Sequence, residues 1–281
     1  MATKRKPLPP PKRTPKQDTT PKKIFRSEPF SKDESGEKVV IYGESGMGKT
    51  TLAALAPTPD FFALDDGSRK ILDPRTRKEL IHVPDVENFQ DMRDALHQPG
   101  MFDDFQTIVV DTGTEAQAWG VQHVLNNYKI SGASAHNMQS YGYGNGYSHL
   151  CDVMRAMLTD FDTLIRQGKN VVILCQNSAI NKANPGGEDF IKDGPDLYHD
   201  KRYSVRELVI AWADHVVKID YGETYVKDKK AKGETTRQIF VKPEPHFVAK
   251  SRTLPIDIER ISFDDPTDDS FWQYLLEGEC E

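Results

Sequence analysis

Cysteine is scarce in this sequence, and long apolar runs are missing from it. The three cysteines, Cys151, Cys175 and Cys280, are odd in number and far apart, which excludes a disulfide framework and a zinc knuckle. The longest apolar runs are much shorter than the roughly 20 residues that span a bilayer. The N-terminus lacks the apolar core of a signal peptide. We therefore expect a cytoplasmic protein with no membrane partner.

Hydrophobic side chains are also few, and positive charge is concentrated at one end. The hydrophobic fraction is 37% and the mean hydropathy is -0.62, so part of the chain is not expected to pack. The net charge is -6, yet residues 1–26 hold nine Lys or Arg residues against Asp18 alone. This pattern predicts a disordered, basic, Pro-rich arm over 1–34. The arm either contacts nucleic-acid phosphates or is a solubilising tail that touches the acidic body.

What the sequence does contain is a complete G-x-x-x-x-G-K-[ST] phosphate loop at residues 43–50. A β-branched and aromatic stretch, 39–42, precedes it, and the helix-forming residues 52–56 follow it. The glycines allow backbone N–H groups to turn inward around an anion, Lys49 is expected to reach the β- and γ-phosphates, and Thr50 is expected to bind Mg²⁺. The predicted nucleotide-binding residues are Gly43, Glu44, Ser45, Gly46, Met47, Gly48, Lys49, Thr50 and Thr51. The alternative is a glycine-rich turn without a ligand.

Strand-like and helix-like segments alternate after the loop. The predicted strands are 61–64, 81–83, 107–111, 171–176, 215–219 and 246–250, and the predicted helices are 86–97, 113–128, 148–167 and 204–213. Segments 222–228 and 235–242 resemble a hairpin, while 131–147 and 177–203 are expected to be loops. The alternation predicts an α/β fold whose mostly parallel sheet binds a ligand at the carboxyl ends of its strands.

Acidic residues follow two of these strands. Asp111 ends an apolar strand about sixty residues beyond the phosphate loop, where its carboxylate is expected to hold Mg²⁺ beside Thr50. The alternative is that Asp111 caps the next helix. Asp65 and Asp66 are candidates for the general base that polarises the attacking water, and Asp66 is favoured. They are alternatively turn residues before Gly67.

An amide and two cations end other strands. Gln176 is able to accept from water and to donate to a γ-phosphate oxygen, so it is expected to report the nucleotide state, or else it is a satisfied strand-end amide. Lys250 and Arg252 lie one residue apart and are expected to point to the same side, as cations that stabilise phosphoryl transfer, in this subunit or in a neighbouring one. The alternative is a solvated basic strand end.

These residues resemble the RecA-type ATPases, and among them the short, phage-encoded, single-domain relatives associated with single-strand annealing and recombination. The likeness covers about 38–260 and rests on the phosphate loop, the acids at 65–66, the Asp111 strand and the strand that ends in Gln176. Lys250 and Arg252 are similar to the Lys-x-Arg of RecA-fold hexameric helicases. The resemblance implies ATP and Mg²⁺ as cofactors, single-stranded DNA as a partner, and a homo-oligomer with nucleotide at its subunit interfaces.

The sequence departs from the family patterns at two positions. Thr112 stands where AAA+ enzymes usually place their water-activating Glu, and Asp66 stands where the RecA-type family usually has Glu. The resemblance divides the chain into a basic arm (1–34), a RecA-like ATPase domain (35–262) and an acidic tail with aromatic residues (263–281). That tail either recruits a protein partner or competes with DNA, or its residues 271–276 dock on the body as one helical turn.

In the RecA-type family the loops after the third and fourth core strands face DNA. The corresponding segments here are 131–147, where tyrosines lie among glycines, and 177–203, which carries scattered cations. Aromatic side chains in flexible segments are able to stack on splayed bases. The DNA-binding candidates are Tyr141, Tyr143, Tyr147, Lys182, Lys192, Lys201 and Arg202. The alternative is that both segments are ordinary surface loops.

The sequence therefore indicates an ATP-hydrolysing protein that binds single-stranded DNA and assists recombination, annealing or replication, in the host cytoplasm if a phage encodes it. One alternative is a nucleotide-switched interaction protein with slow hydrolysis that acts through its charged tails. Another is a small-molecule kinase or GTPase. Against a GTPase, no D-x-x-G follows the Asp111 strand, and 181–184 lack the Asp that reads guanine. Against a kinase, no compact Arg-rich lid is visible.

Overall fold

The structure is a computed structural model, and it describes residues 35–276 except 66, 185, 223, 228–229 and 234–235, together with Ser27. The basic arm, apart from Ser27, lies outside the described residues, and so does Asp66, the favoured general base. In the described part of the chain, no helix combines the length and the apolarity needed to cross a membrane.

The described residues contain twelve strands and six α-helices, numbered in chain order. The strands are β1 (Lys38–Gly43), β2 (Pro59–Ala63), β3 (Thr107–Asp111), β4 (Lys129–Ile130), β5 (Ala133–Ser134), β6 (Asn170–Lys182), β7 (Phe190–Pro195), β8 (His215–Tyr221), β9 (Thr224–Lys227), β10 (Lys230–Gly233), β11 (Arg237–Phe240) and β12 (Arg260–Ser262). The helices are α1 (Lys49–Ala54), α2 (Phe89–His97), α3 (Gly113–Asn127), α4 (Asn145–Ile165), α5 (Val205–Trp212) and α6 (Ser270–Leu276).

The main sheet has the order β12-β11-β8-β1-β6-β3-β2, and β7 pairs with β6 outside this path. The five strands from β8 to β2 are parallel, while β11, β12 and β7 are antiparallel to their neighbours. Helices lie on both faces. The expected α/β fold with a mostly parallel sheet flanked by helices is therefore confirmed.

The two faces of β1 show why helices cover both sides of the sheet. Val40 and Tyr42 belong to the core that α2, α3, α4 and α5 complete, whereas Val39 and Ile41 belong to the core that α1 and α6 complete. Successive side chains of a strand point to opposite faces. A strand that is apolar at every position is therefore buried on both sides, as parallel strands usually are.

The strand register brings the polar strand ends together. Gly43 at the end of β1 is opposite both Gln176 in β6 and Ile219 in β8. Asp111 at the end of β3 is opposite Leu174, two residues before Gln176. The phosphate loop, Gln176 and Asp111 consequently share the carboxyl edge of the sheet, as the sequence predicted.

Several segments differ from the expectation. Residues 177–203 are not one loop, because β6 continues to Lys182 and returns as β7. Residues 246–250 form only isolated bridges instead of a strand, and 81–83 contribute a single bridge, from His82 to Phe61. The segment 131–147 contains β5 and a short 3-10 helix, Met138–Tyr141.

The C-terminal part of the fold also differs. The expected hairpin of 222–228 with 235–242 is replaced by the pair β9 and β10, while β11 pairs with β8. Strand β12 was not predicted from the sequence. One interpretation of the acidic end, that 271–276 dock on the body as a helical turn, is observed, because α6 buries Phe271, Trp272 and Leu275.

Candidate nucleotide-binding site

The three glycines of the phosphate loop are needed for different reasons. Gly46 (φ 83°) and Gly48 (φ 95°) adopt left-handed conformations, which L side chains rarely take. A Cβ on Gly48 would also lie 2.8 Å from the Arg237 Nη1 atom. A Cβ on Gly43 would lie 2.4 Å from the Ile219 carbonyl oxygen, so Gly43 permits the close approach of β1 and β8. The loop backbone has the conformational freedom that a phosphate cradle requires.

Lys49 is held at the centre of the site by three acceptors. Its Nζ donates to the carbonyl oxygens of Gly43 (2.8 Å) and Glu44 (2.9 Å) and to Gln176 Oε1 (3.1 Å). The side chain is 7% exposed, and burial lowers its pKa, an effect that nearby acidic groups such as Asp111 oppose. All three ammonium hydrogens are therefore engaged inside the protein. A phosphate group that binds here has to replace one or more of these acceptors.

Thr50 and Asp111 form a pair of oxygen ligands beside Lys49. The Thr50 hydroxyl donates to Asp111 Oδ2 over 2.8 Å, and Asp111 is buried at 4% exposure. Burial raises the pKa of Asp111 to about 6, although the Thr50 hydrogen bond acts in the opposite direction. Hydroxyl and carboxylate oxygens suit Mg²⁺, which usually takes only one or two protein carboxylates besides phosphate and water. The pair therefore fits the expected ion.

The capping alternative for Asp111 is wrong. The residue that caps α3 is Thr112, whose side-chain oxygen accepts from the Glu115 amide over 3.2 Å. Asp111 turns instead toward Thr50, and the peptide bond between Asp111 and Thr112 is cis. Thr112, which stands where AAA+ enzymes usually have Glu, therefore serves as the N-cap of α3.

A cleft of about 290 Å³ lies in front of these side chains. It is lined by Ser45, Gly46, Gly48, Lys49, Thr50, Thr51, Asp65, Gly67, Ser68, Ile71, Asp111, Thr112 and Gln176. Of the two candidate bases, Asp65 lines this cleft, while Asp66 lies outside the described residues. Asp65 Oδ1 also accepts from the Gly67 amide over 2.8 Å, so Asp65 shapes the turn as well as facing the cleft.

The middle of β6 is connected to the phosphate loop by side chains. Besides the bond from Lys49 to Gln176, Asn177 Nδ2 donates to Glu44 Oε1 over 3.1 Å. The Gln176 carbonyl oxygen accepts from the Asp196 amide, just beyond β7, over 2.8 Å. Both ends of the hairpin formed by β6 and β7, hereafter the β6–β7 hairpin, are therefore anchored next to the loop.

The expected position of Lys250 and Arg252 is wrong. Lys250 pairs with Val216 near the start of β8, at the edge opposite the phosphate loop, because its segment runs antiparallel to β8. Its Nζ donates to the carbonyl oxygens of Ile210 and Ala213 at the end of α5. Arg252 forms an ion pair with Asp214 at 2.9 Å. Neither side chain lies near the nucleotide cleft of its own chain.

The three tyrosines expected to contact DNA have different environments. The Tyr141 hydroxyl donates to the carbonyl oxygens of Val124 and Tyr128, and Tyr147 stacks on Tyr198 with ring centroids 4.1 Å apart. These two rings therefore help to build the fold. Tyr143 is 94% exposed, which leaves its ring accessible.

The four cations expected to contact DNA are spread over two places. Arg202 Nη1 donates to the Tyr143 carbonyl oxygen over 3.2 Å, and Lys201 is exposed beside it. Lys182 and Lys192 lie on the same face of the β6–β7 hairpin, because Lys192 is opposite Ile180, two residues before Lys182. The first pair thus lies near the exposed tyrosine, and the second lies on the hairpin.

Two residues contact the phosphate loop or α1 in a way that was not predicted from the sequence. Arg237 Nη1 donates to the Met47 carbonyl oxygen (3.4 Å), and its guanidinium stacks 5.1 Å from the centre of the Phe263 ring. Trp272 Nε1 donates to the Leu52 carbonyl oxygen over 2.7 Å. Both come from parts of the chain about 190 and 220 residues from their acceptors, so no local sequence pattern indicated them.

The chain was compared with protein families, curated proteins and solved structures. A family model described as an AAA domain matches residues 35–253. No curated protein matches the chain. One solved structure that it resembles is a KaiC-like protein from the hyperthermophilic archaeon Pyrococcus horikoshii OT3, with 12% identity and a TM-score of 0.40, covering 83% of this chain and 88% of that one.

Proposed function

The chain belongs to the AAA domain family, and from this premise we propose that it hydrolyses ATP with Mg²⁺ and couples the nucleotide state to binding of single-stranded DNA. The family and the phosphate loop place it among P-loop ATPases. The proposed biological role is to assist recombination, annealing or replication in the cytoplasm, as the phage-encoded proteins that its motifs resemble are thought to do.

In this proposal the loop residues bind the triphosphate. Lys49 contacts the β- and γ-phosphate oxygens. The left-handed conformations of Gly46 and Gly48 allow backbone N–H groups of the loop to point inward and surround these oxygens. Thr50 and Asp111 hold Mg²⁺, which neutralises charge on the phosphates when it is bound. Asp65 or Asp66 accepts the proton of the attacking water. The structure places Asp65 in the cleft, so it is the first of the two to test.

The hydrogen bond between Lys49 Nζ and Gln176 Oε1, 3.1 Å long, carries the coupling. A γ-phosphate that attracts Lys49 removes a donor from Gln176, whose amide is then free to turn toward the phosphate. Gln176 is continuous with the β6–β7 hairpin through the backbone of β6. Loss of the γ-phosphate restores the bond, and the hairpin is expected to change position or mobility between the two states.

Side chains on the β6–β7 hairpin and near Tyr143 support a polynucleotide partner. The hairpin carries Lys182 and Lys192 on one face, and Tyr143 and Arg202 lie near each other on two other segments of the chain. Cations bind phosphates, and an exposed aromatic ring is able to stack on a base. We include in the proposal a homo-oligomer with nucleotide between its subunits, as in the RecA-type ATPases.

One observation favours a second function, a nucleotide-switched interaction protein with slow hydrolysis. Asp65 Oδ1 already accepts the Gly67 amide over 2.8 Å, so this oxygen has less capacity left to accept the proton of an attacking water. If Asp65 is the base, turnover is then slow and the ATP-bound state persists. This alternative predicts that binding to a partner depends on the nucleotide, and that DNA does not stimulate ATP turnover.

Steady-state ATP turnover, measured with and without single-stranded DNA, distinguishes the two functions. We expect DNA to increase turnover and ATP to increase DNA affinity relative to ADP. Turnover independent of DNA, together with equal DNA affinity in all nucleotide states, would remove the DNA-coupled function. A mass measurement in each nucleotide state tests the oligomer.

Two lysine variants supply the control for this measurement. Lys49→Ala is expected to abolish ATP binding and turnover. Lys169→Ala removes another lysine that donates to two backbone carbonyl oxygens, those of Phe102 and Phe105, and it should retain both activities. Equal loss of activity in the two variants would indicate a general effect on folding.

A further inference from the structure

Helix α1 carries the side chains that the phosphate site needs, yet it has only six residues. Isolated helices shorter than about 12 residues are marginal in water. The last carbonyl groups of any helix also lack partners within the helix. The position of Lys49 and Thr50 at the start of α1 therefore depends on contacts that hold the rest of α1 from outside.

The C-terminal helix α6 supplies such a contact. Trp272 Nε1 donates to the carbonyl oxygen of Leu52 over 2.7 Å, and both groups are buried. Leu52 follows Thr50 by two residues in the same helix. Phe271, Trp272 and Leu275 pack in the same core as Met47 and Leu52. The buried face of α6 thus shares a core with Met47 of the phosphate loop and bonds to the helix that follows the loop.

Arg75 holds the other end of α1 and also reaches α6. Its Nη2 lies 2.8 Å from the Leu55 carbonyl oxygen and 3.4 Å from those of Ala54 and Ala56. Its Nη1 forms a 3.5 Å ion pair with Asp269, the residue before α6. This ion pair is partly exposed, and such pairs contribute little stability. The buried Trp272 bond is accordingly the stronger connection between α6 and α1.

We propose that Trp272 is a positioning residue of the phosphate site, which holds α1 so that Lys49 and Thr50 meet the triphosphate. The inference rests on the proposed ATP binding. Without the indole N–H, the Leu52 carbonyl oxygen loses its buried side-chain donor and keeps the Leu55 amide at 3.2 Å, so α1 is held less tightly along its axis. A shift of α1 weakens contacts to the phosphates in the ground state and in the transition state alike, so it raises KM more than it lowers kcat.

Trp272→Phe tests this role, because it removes the N–H donor and keeps an aromatic ring. Trp212→Phe is the matched control, since Trp212 Nε1 also donates a hydrogen bond, to Asp162 Oδ1 over 2.9 Å, and Trp212 packs against the other core. Both variants lose the same atoms and one indole hydrogen bond. The two should lose comparable thermal stability.

The measurements are calorimetric binding of a non-hydrolysable ATP analogue with Mg²⁺, and kcat and KM for ATP. Loss of one buried hydrogen bond predicts a dissociation constant and a KM about three- to tenfold higher in Trp272→Phe, with kcat within about twofold of the wild type. Trp212→Phe should bind as the wild type does. Unchanged affinity in Trp272→Phe, or equal weakening in both variants, would overturn the inference and leave ATP binding by the wild type intact. A wild type that does not bind the analogue would overturn the proposed function and this inference with it.

A measurement on the wild type keeps the inference testable if Trp272→Phe does not fold. Coupling between two sites is reciprocal. If the docked α6 strengthens nucleotide binding, bound nucleotide must also stabilise the docked α6. Hydrogen exchange of residues 270–276 should slow when the Mg²⁺ complex of the analogue binds. Protection of α1 with no change in α6 would show that the helices are not coupled.

Discussion

At the scale of single residues, Asp60 shows what burying a carboxylate with an unpaired oxygen costs. It lies in β2 with 2% exposure, and its Oδ1 has no hydrogen-bond partner among the described residues. Burial raises the pKa of Asp60 from 3.8 to about 6, and the Phe61 amide and the charge of His82 offset this only in part. Compared with the unfolded chain, the folded protein therefore favours the protonated form of Asp60.

This preference predicts a pH dependence of stability. Because the folded state keeps the proton up to about pH 6, the contribution of Asp60 is fully present below its unfolded pKa and disappears as the pH rises through 6. Asp60→Asn should remove that decline and raise the free energy of unfolding at pH 7.5 by about 1–3 kcal/mol. Denaturant unfolding at pH 4.5, 6 and 7.5 measures this. The exposed Asp104→Asn is the control, and a decline as steep in Asp60→Asn as in the wild type would contradict the assignment.

Residues that act through local motifs were predictable, and residues that act across the chain were not. Lys49, Thr50 and Asp111 follow from a loop and a strand whose spacing has a physical meaning. Lys250 and Arg252 were misplaced because the sequence does not show that their segment runs antiparallel to β8. Arg237 and Trp272 are brought to the loop by tertiary packing alone.

At the scale of elements, the β6–β7 hairpin is the main difference from the sequence prediction. Beyond Gln176 the strand changes from continuously apolar to Asn, Ser, Ala, Ile, Asn and Lys, because the extension leaves the core and is half-buried or exposed. Hydrophobic periodicity is the main signal for a strand, and a polar extension has little of it. The hydrogen bonds with β7, which the sequence pattern does not show, define this element.

The hairpin provides a test of the DNA-binding surface. Lys182→Ala with Lys192→Ala removes two cations from one face. We expect weaker binding of single-stranded DNA and, at about 0.7 per lost phosphate contact, a slope of log K against log salt that is less steep by about 1.4. Fluorescence anisotropy over a salt series measures both. Arg77→Ala with Lys78→Ala, two exposed cations in a turn outside the hairpin, is the control, and identical slopes in the two double variants would exclude the hairpin.

At the scale of the whole molecule, the topology explains why the site could be predicted in outline. Alternating strands and helices imply parallel pairing, and parallel strands end at a common edge. Gly43, Gln176 and Asp111 were placed at that edge from their positions in the sequence alone. The antiparallel additions, β11 and β12 with α6, could not be placed, because short antiparallel strands are able to join either edge of a sheet.

The charge distribution of the whole chain gives a further prediction. Residues 1–26 hold nine Lys or Arg residues and a single acidic residue, whereas the rest of the sequence has a negative net charge. Deleting 1–26 should weaken binding of single-stranded DNA and reduce its salt dependence, while ATP turnover without DNA remains unchanged. A salt series on the deletion protein and the full chain measures this. An unchanged slope would make the arm a solubilising tail.

The most direct test of the central claim is the position of Lys49 Nζ in a crystal structure with a non-hydrolysable ATP analogue and Mg²⁺. We expect Nζ on the β- and γ-phosphate oxygens and no longer on Gln176 Oε1, with Mg²⁺ next to Thr50 and Asp111. A loop without phosphate, or Asp111 turned away from the ion, would contradict the nucleotide site. Lys49 still bonded to Gln176 in the presence of the γ-phosphate would contradict the coupling.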